Sequence, residues 1–182
     1  METSEQLLNN IEISSIILSA ASEIISDIDD IERFAIVGIQ GGGVELASRL
    51  RSVIEERTGR SVKHGIIDIT FYRDDLATRG MLPALKETRI DFNITKMSIL
   101  LVDDVIFTGR SVKAALETLM SFGRPSNIKL FCMVDRGGRE LPIQPDYCGL
   151  KAPVNNVNDD IKVCLYPGDV EKDTVVLAKK GQ

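Results

Sequence analysis

The sequence predicts an α/β domain: a central, mostly parallel sheet flanked by helices. Three observations predict it. Short apolar runs of strand length alternate along the chain with longer segments of helical spacing, the pattern of strand–helix–strand units. The runs at 33–39, 97–105 and 127–135 each lead into glycines or carboxylates, and ligands of parallel sheets sit at such carboxyl ends. Finally, 182 residues with 43% hydrophobic content suffice for one domain with a full core, and no repeat, low-complexity run or linker divides residues 1–182.

The elements follow in order. Residues 4–28 place Leu7, Leu8, Ile11, Ile16, Ile17, Ala20, Ala21, Ile24, Ile25 and Ile28 at helical spacing, although serines interrupt the polar face. "RFAIVGI" (33–39) is a short buried strand, and "VELASRLRSVIEERTG" is a helix that stops at Gly59. "VKHGIIDITFY" (62–72) alternates as a strand. From Arg73 to Arg89 the chain is polar and without a period, and a segment of that length inside a domain is usually a lid or a mobile loop. "MSILLVDDV" is a buried strand, "SVKAALETLMSFG" a helix ending at Gly123, and "NIKLFCMVD" a further strand. The tail "DDIKVCLYPGDVEKDTVVLAKK" holds two short strands around a Pro-Gly turn.

Composition narrows the function. With 22 basic and 27 acidic residues the net charge is -5, so no global basic field advertises nucleic acid. Cys132, Cys148 and Cys164 form no paired metal-binding motif, and His64 is the only histidine, which argues against a His/Cys metal site. The cysteines read as small buried hydrophobes of a reducing compartment. The polar, acidic N-terminus lacks the features of a signal peptide, and no apolar run reaches membrane-spanning length. The expectation is a cytoplasmic protein without a membrane partner.

The stretch "ILLVDDVIFTGRS" (99–111) carries the chemistry. After the strand, Thr108 and Ser111 offer hydroxyls, Gly109 permits a tight turn, and the first turn of the next helix has unpaired N–H groups. That is a cradle for a monophosphate, and it lacks the GxxxxGK[ST] pattern of a nucleoside-triphosphate loop. An ordinary capped helix would use similar residues. Asp103 and Asp104 would repel a phosphate unless a sugar diol donates to them or Mg²⁺ bridges them to a second phosphate. Phosphoribosyl pyrophosphate (PRPP) has a phosphate, hydroxyls and a pyrophosphate in that order. The two carboxylates would also stabilise positive charge growing on the ribose as pyrophosphate leaves.

The same stretch resembles the PRPP motif of type I phosphoribosyltransferases: an apolar strand, two acids, then Thr-Gly-Arg-Ser. "DITFYRDDL", "DFNITKMSILLVDDVIFTGRSVKAALETLMSFGRPSNIKL" and "VDRGGRELPI" followed by "DYCG" resemble the pyrimidine-operon attenuation regulators, which are also uracil phosphoribosyltransferases. The resemblance implies the type I fold, with a lid loop and a small hood. It implies that Asp103 and Asp104 bind the ribose hydroxyls, directly or through Mg²⁺, that Thr108, Gly109, Arg110 and Ser111 hold the 5′-phosphate, and that Val105 is among the substrate-binding residues. It implies a pyrophosphate loop at Gln40, Gly41, Gly42 and Gly43, and a uracil pocket with Asp135, Arg136 and Arg139. Arg73, Arg79, Lys86 and Arg89 of the lid (about 73–89) are candidate charge clamps, Arg73 the foremost as part of a matched motif. Uracil, PRPP, UMP or UTP and pyrophosphate are the implied ligands, and a homodimer or higher homo-oligomer the implied assembly.

The departures from that family are as informative. Relatives read Lys-Thr-Arg-Gly where this chain has Gln40-Gly41-Gly42-Gly43, so only backbone donors remain, and an arginine restored at Gly42 is expected to tighten PRPP. Gly138 stands where the family has histidine. "ISSIILSAASEII" has Ser14, Ser15, Ser19 and Ser22 where relatives carry arginines and a histidine linked to RNA binding, and "LKAPVNNVNDD" keeps only Lys151. RNA affinity rests on Lys/Arg contacts to phosphate. Three readings stand: a uracil phosphoribosyltransferase, an RNA-binding attenuator of pyrimidine genes, and a nucleotide-binding paralogue with little catalysis.

Overall fold

Five parallel strands form the central sheet of the chain, and the computed structural model describes residues 3–69, 88–154 and 159–179. In chain order the strands and helices are β1 (Thr3–Leu8), α1 (Asn10–Ser26), β2 (Phe34–Ile39), α2 (Gly42–Thr58), β3 (Lys63–Ile67), β4 (Ser98–Ile106), α3 (Arg110–Ser121), β5 (Asn127–Asp135), β6 (Tyr147–Lys151), β7 (Asp160–Cys164) and β8 (Thr174–Lys179). The central sheet runs β3-β2-β4-β5-β6, and a separate antiparallel sheet runs β1-β8-β7. That second sheet is the small hood.

Strand alternation divides the core into two layers, as the apolar runs require when both faces are covered. Phe34, Ile36, Leu100, Val102, Phe131 and Met133 pack on one face with Ile13, Ile17 and Ile24 of α1 and Leu46, Leu50 and Ile54 of α2. Ala35, Val37, Ile39, Ile99, Leu101, Leu130 and Cys132 pack on the other with Val112, Ala115 and Leu119 of α3. Each fully buried Leu or Ile contributes about 1.5–3 kcal/mol. Helix α2 stops at Gly59 as predicted, where the Gly59 N–H donates to the Glu55 carbonyl at 2.9 Å.

The start of the chain departs from expectation. Instead of one helix over 4–28, Thr3–Leu8 is a strand paired antiparallel with β8, and the helix begins at Asn10. Asn9 sets the boundary. Its side chain accepts from the Glu12 N–H at 3.0 Å while the Glu12 carboxylate accepts from the Asn9 N–H at 2.8 Å, a reciprocal capping box. The strand expected over 62–72 is present as β3, while its last three residues, from 70 onward, lie outside the described residues. The short edge strand β6, which no sequence pattern marked, completes the central sheet beside β5.

A buried ion pair fastens the hood to α2. Arg49 of α2 is paired with Asp173, whose side chain is fully excluded from solvent, and also holds Glu45 at 2.8 Å. Asp173 Oδ1 accepts from the Tyr166 N–H at 2.8 Å, and Arg49 donates to the Tyr166 carbonyl at 3.3 Å.

Candidate functional site

The chain leaves β2 toward β3 on one side and returns to β4 on the other, so the order of the sheet reverses between β2 and β4. A crevice at the carboxyl ends of the strands opens at such a switch point. Three connections meet there: Gln40–Gly43 after β2, Phe107–Gly109 after β4, and the segment after Asp135 at the end of β5.

The loop after β2 is seated tightly. The Gln40 N–H donates to the Ile67 carbonyl of β3 at 2.8 Å, and α2 starts at Gly42 with no side-chain cap. Its first N–H groups therefore face the crevice with the positive end of the helix dipole. A Cβ at Gly42 would lie 2.3 Å from Asp104 Oδ2 and 2.7 Å from Asp104 Cβ, and one at Gly43 would lie 2.4 Å from the Val102 carbonyl oxygen. The glycines let α2 close onto the end of β4. This corrects the expectation for an arginine at Gly42: any side chain there must first push Asp104 aside.

The two carboxylates at the end of β4 divide between the sides of the sheet, as successive strand residues do. Asp104 lies against Gly42 on the α2 side, with Oδ1 accepting from the Val105 N–H at 2.9 Å. Asp103, buried to 7% exposure, accepts from the Asp104 N–H at 3.0 Å. It lines a concavity of about 130 Å³ on the α3 side with Val105, Phe107, Thr108, Gly109 and Ser111. Whole small-molecule sites occupy roughly 300 Å³ or more. The concavity therefore suits one group of a ligand, such as a phosphate.

Gly109 caps α3 with φ of 91°, a left-handed conformation that costs other residues about 1–2 kcal/mol. No side chain caps α3 either, so its first N–H groups are presented to the concavity, and the Arg110 N–H makes a long contact of 3.3 Å to Thr108 Oγ1. The Arg110 side chain, by contrast, points along the surface to Glu140 at 2.7 Å. Arg110 therefore gives the cradle its backbone, while its guanidinium ties two loops together.

The loop after β5 is laced to the loop after β4. The Arg136 N–H donates to the Ile106 carbonyl at 3.0 Å, and the Glu140 and Leu141 N–H groups donate to the Thr108 carbonyl at 3.0 and 3.2 Å. Arg139 spends its donors on this lacing: Phe107 carbonyl and Ile143 carbonyl at 2.8 Å each, and the Asp135 carboxylate at 2.8 Å. Arg136 is buried, stacks 4.1 Å above the Phe107 ring and donates to the Asp159 carbonyl at 2.5 Å. These arginines form the wall of the crevice. Gly138 has φ of 71°, and a Cβ there would lie 2.3 Å from the Phe107 ring, so the ring fills the space that any side chain at this position would need.

Sequence reasoning missed Phe107, which sits between the acids and the cradle and meets both Arg136 and Gly138. Its place inside the quoted motif was the available signal. Arg73, Arg79 and Lys86 lie outside the described residues. Thr88 and Arg89 are described and anchor the chain to β3: the Asp68 N–H donates to Thr88 Oγ1 at 3.0 Å, and Arg89 and Ile66 exchange backbone bonds at 2.8 Å. The Arg89 side chain is exposed and pairs with Asp91. A larger concavity of about 470 Å³, lined by Asp27, Arg33, Ser98 and Asn127, lies at the amino ends of β4 and β5, away from all three loops.

Among the described residues no helix is long and apolar enough to cross a membrane. Comparison with known proteins agrees with this geometry. The phosphoribosyl transferase domain family matches residues 3–165. The chain is 41% identical over 181 residues to the Bifunctional protein PyrR of Thermus aquaticus, covering 100% of this chain and 99% of that one. It is 44% identical over 155 residues to the Bifunctional protein PyrR of Caldicellulosiruptor bescii, covering 85% of each. A hypoxanthine phosphoribosyltransferase structure from Staphylococcus aureus superposes with a TM-score of 0.68 at 20% identity, over 97% of this chain and 92% of that one. A hypoxanthine-guanine phosphoribosyltransferase structure from Bacillus anthracis gives 0.66 at 21% identity, over 82% and 84%. Those two likenesses concern the fold, which is the type I architecture. With the strand-end acids, the glycine cradle and the matched relatives together, the chain belongs to the phosphoribosyl transferase family.

Proposed function

We propose that the chain transfers a phosphoribosyl group from PRPP to uracil, giving UMP and pyrophosphate. The observation that carries this reading is the position of Asp103 and Asp104 between two uncapped, glycine-started helix N-termini. Each terminus suits an anion, and the acids between them suit a sugar. The 5′-phosphate then rests on Thr108–Ser111, pyrophosphate lies at Gly41–Gly43, and the ribose spans the acids. The carboxylates stabilise cationic character on the ribose as the bond to pyrophosphate lengthens. The base enters against Asp135 and the wall held by Arg136 and Arg139. The donor set fits Mg²⁺: two strand-end carboxylates, with no cluster of three or more His, Cys, Asp or Glu among the described residues, suit an ion that arrives on substrate phosphates. Asp103 and Asp104 would hold it, directly or through water, and when bound it neutralises charge on the pyrophosphate. The test is product formation from PRPP offered separately with uracil, hypoxanthine, guanine and orotate. UMP from uracil alone supports the reading, and preference for another base overturns it.

The phosphate cradle has its own test. Thr108→Ala with Ser111→Ala should weaken binding of UMP by about 1.5–3 kcal/mol for each charge-assisted bond lost, while uracil binding is unchanged. Calorimetric titration with UMP, uridine and uracil separates the cases. If wild-type protein binds uridine as tightly as UMP, the cradle is assigned wrongly.

Because Gly42 is blocked by Asp104, the missing basic group is better supplied at Gln40, which is half-buried at the start of the loop. Gln40→Lys should raise kcat/KM for PRPP by up to about tenfold, the equivalent of ~1.4 kcal/mol, with UMP affinity unchanged. Gly42→Arg should lower it. Steady-state kinetics on both variants would overturn this if Gln40→Lys were no better than wild type, so that loop charge is not limiting, or if Gly42→Arg were the better of the two, so that Asp104 yields the space.

The relatives' name announces two functions, and regulation by RNA binding is the natural second. For this chain the catalytic reading is favoured by a specific feature of α1: the helix carries Glu12 and Glu23 and no Lys or Arg. Phosphate contacts dominate such affinity, so any RNA binding here would rest on other surfaces.

A further inference from the structure

Two of the three cysteines face each other across neighbouring strands. Cys132 of β5 is in register with Cys148 of β6, so the two side chains leave the same face of the sheet side by side, and the Cys148 thiol donates to the Leu150 carbonyl at 3.4 Å. Opposed residues on adjacent strands are about 4.7–4.9 Å apart, within the roughly 4.4–6.8 Å Cα separation that a disulfide spans. Access to the two differs. Cys132 is fully buried, whereas Cys148 is half-buried on β6, the edge strand of the sheet. The neighbouring Cys132 thiol holds the Cys148 thiol down at about 7, with burial opposing. The pair also lies in a row that leads to the crevice. Asp103 of β4 is in register with Cys132, and Asp135 ends the same strand three residues further on. The proposed transfer chemistry uses neither thiol.

We propose that Cys132 and Cys148 form a modification site, a dithiol that hydrogen peroxide closes to a disulfide between β5 and β6. Cys148, the accessible member, attacks a peroxide oxygen as thiolate. The O–O bond breaks, water leaves after protonation, and Cys148 becomes a sulfenic acid. The buried Cys132 sulfur then attacks the Cys148 sulfur, the S–O bond breaks, and the departing hydroxide takes the Cys132 proton to give a second water. Two thiols are oxidised by two electrons and one peroxide is reduced. A neighbouring thiol is what diverts a sulfenic acid from further oxidation, and the register supplies one. The disulfide would staple the edge strand to β5 at the foot of the Asp135–Arg139 loop.

The test uses the full chain, reduced, exposed to hydrogen peroxide while folded, then quenched, denatured, alkylated and mapped by mass spectrometry. Free thiols should fall from three to one, with the Cys132 and Cys148 peptides joined, Cys164 still alkylated, and dithiothreitol restoring all three. Cys164→Ser should leave the crosslink intact, and Cys148→Ser should leave Cys132 reduced at the same dose. The proposal is overturned if Cys148 gains two or three oxygens while Cys132 stays a thiol. It is equally overturned if the only disulfides join separate chains through Cys164, or if the folded protein loses no thiol under conditions that oxidise the unfolded chain.

Discussion

Asp104→Asn is expected to reduce turnover by about 10²–10³-fold, the range seen when one preorganised electrostatic contact to a developing charge is removed. UMP affinity should change far less, because UMP carries no pyrophosphate and develops no charge. Asp103→Asn should lower turnover comparably without weakening UMP, since it removes a negative charge from the concavity that takes the 5′-phosphate beside Thr108 and Ser111. Single-turnover rates and calorimetric affinities on the two variants would check this. Equal losses of rate and UMP affinity in both would assign the acids to ground-state binding, and the division of labour between the sides of β4 would be wrong.

The largest expected effect on stability lies at Arg49. Asp173 is wholly buried, so Arg49→Ala strands a carboxylate that water cannot reach, a loss of about 3–5 kcal/mol for a broken buried pair. For a domain of this size each kcal/mol shifts Tm by about 2–4 °C, so calorimetry should register a fall on the order of 10 °C. The double substitution Arg49→Met with Asp173→Leu removes both charges and should recover much of that loss. A double variant as unstable as the single one would place the effect in packing rather than charge.

The central sheet was readable because β2, β4 and β5 are apolar runs covered on both faces, and because α2 ends at a glycine. The hood was less so. Leu7 and Leu8 continue the helical spacing of Ile11 and Ile17, and only pairing with β8 at the far end of the sequence makes them a strand. The local signal against one long helix was Asn9 with Glu12, a capping pair that hydrophobic spacing outweighed. β6 was hidden because it is short and carries Gly149, where a Cβ would lie 2.7 Å from the Met133 carbonyl oxygen. In the site, Asp103, Asp104 and Thr108–Ser111 were legible as types at fixed spacing. The holding parts of Arg136, Arg139 and Arg110 were not, because each depends on partners supplied by another loop.

Pairing β1 with β8 has a kinetic consequence. Thr3 meets Lys179 and Gln6 meets Val176, so β1 leaves the ribosome long before β8 and must wait for it. The central sheet and its helices can condense from nearer contacts, whereas the hood incurs the full loop-closure cost of the longest separation in the fold. During synthesis Leu8 lacks its partner while the loops around the crevice are already assembling. The hood therefore forms late, and the ion pair between Arg49 and Asp173 acts as a latch that closes on a scaffold already built.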